Sequence, residues 1–122
     1  MAVSQAHFEM VQQLPPKPVM DYMVIEANTL DDIELTLTWT PNDLQMDTND
    51  NPTPGNFRLL VDGVPREIDL LAWAFGNDML IQALGAPADQ TFTFIQDAYD
   101  ANVKNLDGVH AVAGGQVIAQ VP

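Results

Sequence analysis

Eight consecutive residues, Ile33-Glu34-Leu35-Thr36-Leu37-Thr38-Trp39-Thr40, alternate apolar and polar without a break. Successive side chains of a strand point to opposite faces. Ile33, Leu35, Leu37 and Trp39 therefore share one face, and Glu34, Thr36, Thr38 and Thr40 share the other. One dry face and one wet face is the pattern of an antiparallel sheet packed on a second layer, since strands covered on both sides read as continuous apolar runs. The expected fold class is all-β.

The remaining segments extend this reading. Residues 22–27 predict a first strand, and Asn28 to Asp32 a turn. The stretch 41–55 is dense in Pro, Gly, Asn and Asp and predicts a long irregular connection, which in a small domain is usually functional or mobile. Residues 56–61 predict a strand, and Asp62-Gly63 a hairpin turn. The next predicted strand, 64–70, contains Pro65, which assigns it to a sheet edge. Residues 71–75 continue after a bend, Gly76-Asn77-Asp78 turn, and 79–84 return. Further strands are predicted at 91–95 and 116–121, with a polar segment between them that has room for one helical turn at 97–106. Strands at this spacing, separated by such turns, predict a sandwich or barrel.

Residues 1–20 differ from the rest. Three prolines in Leu14-Pro15-Pro16-Lys17-Pro18 fix φ and remove donors, favouring an extended path. Before them, residues 3–14 have the spacing of a short helix capped by Ser4, with Phe8, Val11 and Leu14 on one side. That helix is too short to stand alone. The expected organisation is an extended N-terminal arm, 1–20, and one domain, 21–122. A disordered tail is the alternative to a functional arm.

The chain has 122 residues, enough for one hydrophobic core, and no cysteine, which excludes disulfides and thiolate zinc sites. No stretch approaches the roughly 20 apolar residues that span a bilayer. No basic segment followed by an apolar core opens the chain, so no secretory leader is expected. Against 17 Asp and Glu stand 4 Lys and Arg, a net charge of −13. Phosphate backbones and anionic membranes would repel such a chain, which argues against nucleic-acid and membrane partners. The acidity serves solubility, docking on a basic partner, or the guarding of exposed sheet edges.

The run Asn56-Phe57-Arg58-Leu59-Leu60-Val61-Asp62-Gly63-Val64-Pro65, then Leu71-Ala72-Trp73-Ala74-Phe75 and Gly76-Asn77-Asp78-Met79-Leu80-Ile81, resembles bacterial and phage immunoglobulin-like modules. Tyr99-Asp100 through Asn105-Leu106-Asp107-Gly108 resembles the polar segment that such modules carry near their last strands. The resemblance covers roughly residues 20–121 and rests on hairpin chemistry; the cysteine pair of antibody domains is missing. It implies an antiparallel Ig-like β-sandwich and a role in display, adhesion or assembly. It transfers no catalytic residue.

Chemical motifs are incomplete. Asp47-Thr48-Asn49-Asp50-Asn51 resembles the start of a calcium loop, but Pro52 stands at the sharp-turn glycine and Arg58 where a bidentate Glu belongs. A looser calcium site in this loop, or around Asp97, Asp100 and Asp107, stays open. His7 and His110 are the only histidines and Ser4 the only serine, so hydrolase triads lack members. No Gly-rich phosphate loop is present. No enzyme, cofactor or metal is expected. Trp39, Trp73, Phe75, Phe92 and Phe94 alternate as core residues; a sugar-binding role would need them on a wet face.

The expectation is therefore a non-enzymatic structural protein of a large assembly, such as a capsid decoration or cement protein of a phage virion, made in the host cytoplasm. Its partners would be capsid or other virion subunits, and it would form a homo-oligomer. Docking falls to the arm, through Phe8, Val11, Leu14, Pro15, Pro16 and Val19. The alternative is a carbohydrate- or surface-binding adhesion module using the 41–55 loop.

Overall fold

The structure is a computed structural model, and it describes residues 17–29, 31–41, 45–84 and 91–120. Eight strands run in order: β1 (Val19–Asn28), β2 (Asp32–Thr40), β3 (Phe57–Val61), β4 (Val64–Arg66), β5 (Ile68–Phe75), β6 (Asp78–Leu84), β7 (Thr91–Gln96) and β8 (Gln116–Gln120). They form two four-stranded antiparallel sheets, ordered β1-β2-β6-β5 and β4-β3-β7-β8. Lettered in chain order with β4 as C′, the sheets read A-B-E-D and C′-C-F-G, the strand arrangement of immunoglobulin-type sandwiches. A 3-10 turn spans Pro54–Asn56.

The unbroken alternation of residues 33–40 is realised residue by residue. Ile33, Leu35 and Leu37 are fully buried and Trp39 nearly so, while the residues between them reach the surface in part. The facing sheet supplies Leu59, Phe92 and Phe94, all fully buried. Phe57 and Phe94 stack at 5.2 Å between ring centroids. Removing such side chains from water contributes about 2–3 kcal/mol each, which makes this interlayer the main source of cohesion.

Turn chemistry sets the hairpins. Asp62 and Gly63 both have positive φ, 51° and 82°, the type I′ pattern that matches strand twist. Gly76 has φ 61° at the β5–β6 turn while Asn77 does not enter the positive region, as a type II′ turn requires.

Three expectations are corrected. The predicted strand 64–70 is two strands: Pro65 does lie in an edge strand, β4, but at Glu67 the chain leaves that sheet, and β5 joins the other. Residues 97–106 hold no helical turn; the Met46–Asn105 bridge and the Asp97 and Leu106 amides, which donate to the Asn56 and Gln45 carbonyls, pin them to the 45–56 loop instead. Phe75 is not core but 86% exposed. The cause is a bulge. Trp73 pairs with Met79, and Phe75 pairs with the next residue back, Asp78, so Ala74 is an extra residue. One inserted residue moves everything beyond it to the opposite face.

Candidate protein-docking surface

Two long connections, the β2–β3 and β7–β8 loops, gather at one end of the sandwich with the tight β5–β6 hairpin, beside the start of β1. The two long loops are locked together. Asp100, only 2% exposed, is the clamp. Its Oδ2 accepts the Thr53 amide at 2.7 Å and Asn56 Nδ2 at 3.0 Å, and its Oδ1 accepts the Asn102 amide at 2.9 Å. Buried Asn105 does the same one turn later, accepting the Asp107 and Val109 amides at 3.0 Å each and donating to the Pro41 carbonyl at 3.3 Å. A buried polar group is stable where its bonding capacity is met, and these two side chains meet it by joining segments far apart in the chain.

The β2–β3 loop is also tied to β5. Trp73 Nε1 donates to the Asp50 carbonyl, and the Trp73 amide donates to Asn51 Oδ1, both at 3.0 Å. Asp47 Oδ1 accepts the Asn49 amide at 3.1 Å, and its other oxygen faces Lys104 Nζ at 4.0 Å. Of the side chains that suggested a calcium or sugar loop, Asp47 and Asn51 are engaged in holding the loop's own shape, while Thr48, Asn49 and Asp50 face solvent. Among the described residues no three His, Asp or Glu side chains converge as a metal site would need. Asp97, from the second acidic cluster, forms a two-pronged pair with Arg58 at 3.0 Å, which raises the guanidinium pKa above its ordinary value. This pair is solvent-exposed, so it ties the loop to β3 only weakly.

Of the residues assigned to the arm, Phe8, Val11, Leu14, Pro15 and Pro16 lie outside the described residues. Val19 is the first residue of β1, paired with Thr40 and 55% exposed. Together with Pro18, Met20, Trp39, Gln96 and Ala111 it borders a recess of about 250 Å³, so the arm's root adjoins an apolar depression. Trp39 Nε1 is buried beside that recess without a hydrogen-bond partner among the described residues.

The outer face of the β1-β2-β6-β5 sheet carries a second apolar surface that sequence reasoning missed. Register places Tyr22, Thr38, Asp78 and Phe75 in one row across all four strands, and Val24, Thr36, Leu80 and Ala72 in the next. Tyr22 is 52% exposed and Val24 44%. Asp78 accepts a hydrogen bond from Thr38 Oγ1 at 2.7 Å, so even the acid in the first row is partly satisfied within the face. Acids collect around the face. Asp21 and Glu26 are the unpaired bulge residues of edge strand β1, and Asp69 is one of the two in edge strand β5; all three are exposed. The sequence breaks period two at Ile68-Asp69-Leu70-Leu71, but residues 71–75 alternate without a break and give no sign of the Ala74 bulge.

Comparison of the chain with family models, with curated proteins and with solved structures finds no match.

Proposed function

We propose that this chain is a non-enzymatic docking protein of a larger protein assembly. The carrying observation is where its chemistry is spent. Polar side chains of the long loops are turned inward as clamps, while large apolar side chains stand exposed on a sheet face and at the root of the arm. Exposed apolar groups gathered on one face are the signature of a contact surface. The proposed arm, 1–20, ends in the first residues of β1, so it and the sheet face would engage neighbouring subunits together. The immunoglobulin-like resemblance implies a role in display, adhesion or assembly, and the setting we propose is a virion accessory such as a capsid decoration protein.

The test is recovery. Large particles purified from cells that make the protein from its native genome should contain the chain in stoichiometric amount by mass spectrometry. Removal of residues 1–16 should reduce that recovery severalfold. A chain found solely in the low-molecular-weight fraction overturns the reading.

A further inference from the structure

We infer that the outer face of the β1-β2-β6-β5 sheet binds a protein surface of complementary make-up: an apolar centre bordered by lysine and arginine. The inference rests on the docking role proposed above and names the partner's chemistry.

The centre of the face consists of Tyr22, Val24, Leu80, Ala72 and Phe75, with Thr36, Thr38 and Asp78 between them, Asp78 accepting a hydrogen bond from Thr38. Phe75 stands on this face only because of the Ala74 bulge, at 86% exposure. An aromatic ring carried on a paired strand and exposed to this degree has the character of an interface anchor. Around the centre lie carboxylates on three sides: Asp21 and Glu26 along β1, Asp69 along β5, and Asp31 and Asp32 at the β1–β2 turn. All four cations of the chain lie off the face: Lys17 ahead of β1, Arg58 and Arg66 on the other sheet, and Lys104 in the β7–β8 loop. Interfaces are built with an apolar core and a polar rim, and rim charges select the partner of opposite sign.

Two other occupants fit less well. A second copy would set an acidic rim against an acidic rim. An added strand would meet the bulges and carboxylates of β1 and β5, which block edge pairing. Contact across the face avoids both obstacles.

The experiment uses the full chain, isotope-labelled, titrated with two soluble probe peptides of equal length. One alternates leucine and lysine, the other leucine and glutamate. The leucine–lysine peptide should bind saturably, with amide shifts confined to Tyr22, Val24, Thr36, Thr38, Leu80 and their neighbours. Phe75→Ser should weaken that binding about tenfold, and raising salt from 0.05 to 0.5 M (roughly a threefold shorter screening length) should weaken it severalfold. Val64→Ser, on the other sheet, should leave it unchanged. Shifts on the loop end or the second sheet, equal binding of both peptides, or full binding by Phe75→Ser overturn the inference. So does a concentration-dependent dimer in sedimentation equilibrium that Phe75→Ser abolishes, because the occupant would then be a second copy. Particle recovery reads the docking role separately, so a chain that enters particles but binds neither peptide sinks this inference alone.

Discussion

Strands β2 and β5 lie in the same sheet, separated by β6, and both are rich in apolar residues, yet they treat them in opposite ways. In β2 every second residue from Ile33 to Trp39 is buried. In β5 only Leu71 is fully buried, while Leu70 is 38% exposed and Phe75 86%. The difference is position. β2 is held on both sides, by β1 and β6, in a register without shifts along β6. β5 has a neighbour on one side only, and its free edge admits two bulges, at Asp69 and Ala74. A central strand must keep its period or lose two ladders; an edge strand can break period and turn side chains outward. Core and contact surface are thus made from similar residues, sorted by the presence or absence of a bulge.

The sharpest way to break this comparison is to truncate each strand's large aromatic. Trp39→Ala should cost about 3–5 kcal/mol of unfolding free energy in a denaturant melt, because Trp39 is 2% exposed and packs against Trp73 at 6.4 Å. Its indole nitrogen has no partner among the described residues, so the loss is one of packing rather than hydrogen bonding. A cost under about 1 kcal/mol would mean that the inner layer is not closed at the arm's root.

The loop clamp ranks next. Asp100→Ala leaves the Thr53 and Asn102 amides and the Asn56 side-chain amide without their acceptor. Stranding partly buried donors should cost about 2–3 kcal/mol, after allowance for water entering the gap. Hydrogen exchange should show the effect locally, with faster exchange at Thr53 and Asn102 than at Leu35. Uniform acceleration across both sheets would show that the clamp supports the fold as a whole and not its loops.

What could be read from the chain follows from the same contrast. Strands and turns obeying local rules were legible: the β2 alternation, the Asp62-Gly63 hairpin, the placement of Pro65 at an edge. Each needs only its own residues and their immediate neighbours. Bulges and sheet switches depend on what lies beside a strand, so the exit at Glu67 and the inversion of Phe75 were not legible. Asp100 was hidden for a related reason. Its acceptors serve Thr53 and Asn56, far away in the chain, and an isolated Asp in a polar segment looks the same whether it faces water or a buried amide. The arm residues Phe8, Val11, Leu14, Pro15 and Pro16 are assigned from sequence alone.

A smaller effect probes the turn. Gly63 has φ 82° and open space where a Cβ would sit. Gly63→Ala should therefore cost only the conformational term, about 1 kcal/mol, with unchanged strand pairing by amide exchange. A larger loss would point to a contact across the turn.

The smallest effect carries the comparison furthest. Phe75→Ser removes a ring that is exposed and lies outside the interlayer, so unfolding free energy should change by no more than about 0.5 kcal/mol. The same substitution on an inward-facing strand residue would cost several times more. If Phe75→Ser instead destabilises by more than about 1 kcal/mol, the ring is covered in solution. The Ala74 bulge would then not be displaying it, and the outer face would lose its anchor.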